Sequence, residues 1–211
     1  MDFDLPNGAL VNKFVAKTKF YERVKLSSRL QNSFINQIQK ITWKYKLAED
    51  TLGISKSENV TEIQIFEVVL KAQVIPQNVL KIIDKAIPYP ILYVFVYQDD
   101  FAFGITLKDG VRTENYYFSE WNQLLSFDFT GIDLEKVYQK LIRAFITSEA
   151  KEQDQFHDMI ELDVQIKNLE KEIMTLGNKI RKEKQFNRKV DLNKILLDKQ
   201  RQLYAIKKDM S

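Results

Sequence analysis

Residues 159–180, MIELDVQIKNLEKEIMTLGNKI, set Met159, Leu162, Ile166, Leu169, Ile173, Leu176 and Ile180 at alternating intervals of three and four. That spacing is a heptad seam, and only an α-helix presents it as one face. A polar break follows at Gln185-Phe186-Asn187-Arg188-Lys189, and then Leu192, Leu196, Leu203, Ile206 and Met210 resume the same spacing. One seam cannot bury itself, so the two runs are expected to fold back on each other as an antiparallel helical hairpin. Lys199 takes the heptad place between Leu196 and Leu203, which makes one weak layer where a long stem must snorkel outward.

Working outward, 211 residues are enough for one full core and an appendage. A hydrophobic share of 45% with 12% aromatics excludes disorder throughout. Cysteine is absent, which removes disulfide frameworks, thiolate metal sites and cysteine nucleophiles together. The N-terminus has neither a basic segment nor an apolar one of the kind that marks a leader, and no apolar run approaches the roughly 20 residues of a membrane span. A cytoplasmic protein without membrane association is expected.

Net charge is only +3, but it is unevenly placed. Residues 13–46 carry nine Lys or Arg against the single acid Glu22, while residues 47–150 carry −6. Such asymmetry points to association with a polyanion or an acidic partner.

Along the chain, a short helix is expected around Gly8 to Phe14. Leu30, Phe34, Ile38, Ile41 and Tyr45 lie within about 80° on a helical wheel, predicting one amphipathic helix from Ser28 to Tyr45 capped by Ser27 or Ser28. On that wheel Arg29, Asn36, Lys40 and Lys44 form a basic stripe with Trp43 at its margin, a surface able to lie along a phosphate backbone. Residues 47–60 read as a loop. EIQIFEVVL, residues 62–70, reads as a central strand, and Pro76 opens a helix buried through Val79, Leu80, Ile83 and Ile87. Ile91–Tyr97, Phe101–Leu107 and Val111–Phe118 read as a three-stranded meander with Asp109-Gly110 as a hairpin turn. The first strand, the Pro76 helix and the next strand make a βαβ crossover. Trp121 and Phe127 anchor a loop region, and Leu134, Val137, Leu141, Ile142 and Phe145 mark a further amphipathic helix. The expected class is α+β: a small mixed β-sheet packed with helices over residues 1–148, followed by a long C-terminal antiparallel coiled-coil hairpin over residues 149–211.

Catalytic motifs are missing. The chain has no phosphate-binding loop, no Gly-x-Ser-x-Gly and no His-Glu-x-x-His, and its single histidine, His157, reads as a helix residue beside the seam. An enzymatic alternative is a Mg²⁺-dependent nuclease, which needs carboxylates converging on the metal and often a lysine near the attacking water. Glu62, Glu67, Asp99, Asp100 and Lys71 are its candidates. Glu67 and Lys71 are four residues apart, not the two of the restriction-endonuclease Glu-x-Lys pattern, and Asp99 and Asp100 stand where a turn needs such residues anyway. No cofactor is expected outside that alternative. A second basic focus is the hairpin turn, where Lys179, Arg181, Lys182, Lys184, Arg188 and Lys189 surround the lone acid Glu183.

Several segments together resemble the bacterial DUF4391 domain-containing proteins: Leu-Val-Asn-Lys-Phe from residue 10, Ile-Thr-Trp-Lys-Tyr-Lys-Leu from residue 41, Ile-Gln-Ile-Phe-Glu-Val from residue 63, Ile-Pro-Tyr-Pro-Ile-Leu from residue 87, and Gln-Phe-Asn-Arg-Lys-Val-Asp-Leu-Asn from residue 185. The resemblance implies a family of unassigned function with a genomic setting beside DEAD/DEAH-type helicases and DNA methyltransferases, as in restriction-like or phage-defence clusters. It brings no catalytic residues.

The combined expectation is a non-catalytic adaptor of a helicase or restriction-type complex. Arg29, Lys40, Trp43, Lys44 and the turn cations would contact DNA or partner, and the hairpin would dock onto a larger helicase or methyltransferase-type subunit. The alternatives are the metal-dependent nuclease and a structural homodimer formed through the hairpin seams.

Overall fold

The computed structural model describes residues 3–24, 26–108, 115–152 and 155–208. They form two compact units, residues 1–145 and 146–211.

The first unit is built on a six-stranded sheet whose strands lie side by side in chain order: β1 (Leu10–Phe14), β2 (Ile38–Ala48), β3 (Glu62–Leu70), β4 (Ile91–Tyr97), β5 (Asp100–Leu107) and β6 (Asn115–Phe118). Every pairing is antiparallel except β3 with β4, which run parallel because the intervening helix carries the chain back. The expected βαβ crossover and meander are therefore present. The Asp109-Gly110 turn lies outside the described residues.

Both faces of the sheet are covered, so β3 and β4 read as nearly continuous apolar runs. On one face Phe66, Val68, Leu70, Tyr93, Phe95 and Ala102 pack against α1 (Thr18–Arg23), α2 (Ser28–Gln37) and α4 (Gln77–Ala86). α4 contributes Val79, Leu80, Ile82, Ile83 and Ala86, with Leu80 and Ile83 wholly buried, each worth about 2 kcal/mol of transfer free energy. The opposite face carries Ile63, Ile65, Leu92, Val94, Phe103 and Ile105, all buried. There α5 (Leu134–Arg143) packs on β3, its start capped by Asp133 accepting from Lys136 N at 2.8 Å. Phe127 sits edge-on to Phe103 at 5.0 Å between ring centroids, as expected for an anchor, and Trp121 packs on the first face.

Three expectations are corrected. The helix predicted from Ser28 to Tyr45 ends at Gln37, capped at its start by Ser27, and the chain continues as strand β2 through Ala48. The physical reason is the β-bulge between Ile38 and Lys40, and a second bulge, between Trp43 and Tyr45, turns Tyr45 to the opposite face. Each bulge adds a residue and resets which face the next side chain meets. Ile38 and Ile41 thereby face the same core three residues apart, imitating a helical interval with a β-branched, aromatic-rich sequence that favours a strand. The short helix expected at Gly8 to Phe14 is a 3-10 turn, Asn7–Ala9, followed by edge strand β1. The expected loop at 47–60 begins with the end of β2 and a one-turn helix, α3 (Glu49–Leu52), stopped by Gly53 at φ +67°.

The second unit is the hairpin: α6 (Phe156–Lys182) and α7 (Phe186–Lys208). At ~1.5 Å per residue, α6 is about 40 Å long. Among the described residues the seam is where the heptads place it, and Met210 lies outside them. Met159, Ile166 and Leu169 are buried, and Leu162, Ile173, Leu176, Leu192, Leu196 and Leu203 are half-buried. Near its base Lys207 reaches Glu149 at 3.0 Å and Glu170 at 3.2 Å. Asp163 is buried beside the seam, its Oδ1 accepting from Thr147 N at 2.9 Å and its Oδ2 lying 2.8 Å from Lys167 Nζ. Among the described residues no helix is long and apolar enough to cross a membrane.

Candidate functional site

The predicted basic stripe dissolves with the helix that carried it. Arg29 is exposed on α2, whereas Lys40, Trp43 and Lys44 lie on β2. Trp43 turns toward the first core face, its indole N–H donating to Tyr45 O at 3.0 Å. Lys44 stands at the second bulge, with its ammonium 3.8 Å from Glu67 on the neighbouring strand.

Among the nuclease candidates, Glu62 is set apart from Asp99 and Asp100. Glu62 opens β3, while Asp99 and Asp100 follow β4 at the far end of a parallel pair in which Gln64 faces Ile91 and Val69 faces Val96. The nine residues of β3 span roughly 26 Å at ~3.3 Å each, so the two ends cannot share a metal ion. Asp100 accepts from Gln73 Nε2 at 2.9 Å and from Asn122 Nδ2 at 2.7 Å, tying the start of β5 to the segments after β3 and β6. Lys71 follows β3, and its charge helps burial lower the pKa of Lys17. Among the described residues no group of three or more acidic or imidazole side chains is placed to hold a metal ion.

The hairpin turn does gather its cations. Lys179, Arg181 and Lys182 end α6, Lys184 lies in the turn, and Arg188 and Lys189 begin α7, all exposed. Phe186 stands among them, 78% exposed. Glu183 accepts from Lys184 N and Gln185 N at 2.9 Å each and lies 3.5 Å from Arg188 Nε. Those backbone N–H groups hold its carboxyl below the usual range, with the Arg188 charge adding to them.

A polar cluster that the residue patterns did not announce lies within the first core. Asp84, near the end of α4, is 9% exposed. Its carboxylate accepts from Tyr93 of β4 at 3.1 Å, from Thr106 of β5 at 2.9 Å, and from Tyr116 of β6. Burial raises its pKa against the pull of these donors and of Lys108. Lys108 donates to the carbonyls of Tyr89 at 2.7 Å and Ile87 at 2.8 Å, closing the C-terminal end of α4 with a charge of the favourable sign. Burial lowers its own pKa, and the Asp84 charge partly restores it. The cluster joins one helix to three strands. One signal was readable: Leu80, Ile83, Asp84 and Ile87 share a helical face, and a carboxylate on an apolar stripe must find donors.

No curated protein and no solved structure matches the chain. The family described as "Domain of unknown function (DUF4391)" matches residues 3–203, a span that includes the whole sheet and most of both hairpin helices. The hairpin is therefore part of what defines the family, and the chain belongs to DUF4391.

Proposed function

We propose that this chain is a non-catalytic accessory subunit of a bacterial DNA-processing assembly, of the helicase or restriction type, acting in the cytoplasm. It would meet DNA or an acidic partner through its hairpin turn. The observation that carries the reading is the turn itself, where six exposed cations surround one acid and an exposed phenylalanine. Cations release counterions from a phosphate backbone, and a ring beside them can stack on a base or fill an apolar dimple.

A second feature supports a protein partner. Among the described residues of α7 none is buried, and Val190, Leu197 and Tyr204 follow one another at intervals of seven, exposed by 36%, 53% and 69%. That line is separate from the seam against α6 and suits one further helix. A second copy of the chain is the alternative occupant.

The test is recovery of the tagged chain from its host, with and without nuclease treatment, followed by mass spectrometry. A helicase or methyltransferase-type protein retained after treatment is expected, and lost when Leu197 and Tyr204 are changed to Ser. Recovery of no stable partner overturns the adaptor reading. Light scattering over a range of concentrations separates a partner from a second copy.

A further inference from the structure

At the end of the sheet where β3 begins, α1, β2, β3 and the segment after α4 line an open cavity of about 360 Å³, within the size range of small-ligand sites. Four aromatic residues line it: Phe20, Trp43, Phe66 and Tyr89. Phe20 and Phe66 are buried, so two walls are set by the core. Trp43 has its N–H committed to Tyr45 O, which fixes the indole and leaves its π surface as what it can offer.

The polar groups of the lining are few and positioned. Gln64 is 7% exposed and donates through Nε2 to Glu62 Oε1 at 2.7 Å, holding that carboxylate at the cavity. Lys46 feels the Glu62 charge, but its ammonium is bound to Asp50 at 3.0 Å. Ala86, Ile87 and Pro88 bring the C-terminal end of α4 to the same wall, the negative end of a helix. Lys108 already satisfies the Ile87 carbonyl, so Glu62 remains the cavity's own anionic group. Among the described residues of the lining, the cation is Lys19, exposed on α1.

Aromatic side chains together with one oriented carboxylate are the chemistry that recognises an organic cation, drawn by ring quadrupoles and completed by the charge. We infer that this cavity binds an alkylammonium or guanidinium group, carried either by a free small molecule or by a Lys or Arg side chain of a peptide. The site belongs to the first unit, and the inference does not depend on the accessory role.

The experiment uses the full-length chain and calorimetric titration with three probes: choline, its neutral carbon isostere 3,3-dimethyl-1-butanol, and a short peptide with a central trimethyllysine or arginine. Choline or the peptide is expected to bind at least about tenfold more tightly than the isostere. Glu62→Gln, which retains an acceptor for Gln64, is expected to remove that preference without changing the thermal midpoint. Trp43→Phe, which keeps a π face, is expected to retain part of the affinity. Tighter peptide binding assigns the cation to a protein partner, and tighter choline binding assigns it to a small molecule. Equal binding of the isostere, or no heat with any cation for a chain that melts cooperatively, overturns the inference.

Discussion

The Lys199 ammonium of α7 lies 2.9 Å from the Glu172 carboxylate of α6, so the one charged residue in the second heptad run is held across the hairpin. The lysine is 30% exposed and the glutamate 52%, which places the pair in the range where solvent leaves little net gain. Lys199→Leu would complete the seam with buried apolar area and is expected to stabilise the hairpin by about 1 kcal/mol. A higher thermal midpoint of the helical signal at 222 nm checks it.

Glu149 carries a different prediction. Its carboxyl is held down to about 2 by a backbone hydrogen bond first, then by Lys207 and Ser148. A carboxyl depressed on folding contributes stability that is present above its ordinary value of 4.5 and is lost as pH falls toward 2. The base of the hairpin is therefore expected to loosen through that window, and Glu149→Gln to flatten the response. Urea midpoints measured across that range test this.

Asp84 has the opposite sign. Burial raises its carboxyl, so above the unfolded value of 3.8 the native state keeps a proton that the unfolded chain has released. Its contribution to stability consequently grows as pH falls toward 3.8. Asp84→Asn lacks that contribution, so the difference in stability between parent and variant should carry it as a slope with pH. Asp84→Ala removes the acceptor that the hydroxyls of Tyr93, Thr106 and Tyr116 share and is expected to cost about 3 kcal/mol, read from equilibrium urea unfolding.

Gly104 of β5 faces the same core. A Cβ there would come within 2.8 Å of Phe95 Cε2 and of Phe118 Cδ1. Gly104→Ala is expected to cost about 1–3 kcal/mol by overpacking, measurable as a lower urea midpoint with unchanged m-value.

The turn cations make a prediction about salt. Changing Lys182, Lys184 and Arg188 together to Glu should weaken binding to a fluorescent DNA duplex. It should also reduce the slope of log affinity against log salt by about one unit for each phosphate that is no longer neutralised. An unchanged slope removes DNA as the turn's ligand.

The hairpin was decided by local sequence, because a heptad seam is a property of one helix and its neighbour across a short turn. Met159 to Ile180 needed no distant partner to be read. Strand β3 and helix α4 were legible for a similar reason, through a run of β-branched residues and a proline at a helix start. Strand β2 was not. The bulge between Ile38 and Lys40 sets Ile38 and Ile41 on one face at a spacing that a helix would also produce, and only pairing with β3 selects between them. The sites depended on tertiary structure throughout. Parallel pairing of β3 with β4 parts Glu62 from Asp100, whereas sheet order brings Tyr93, Thr106 and Tyr116 onto Asp84. Hydrogen bonds between residues far apart in the chain exist only after the strands have paired, so no local pattern encodes them.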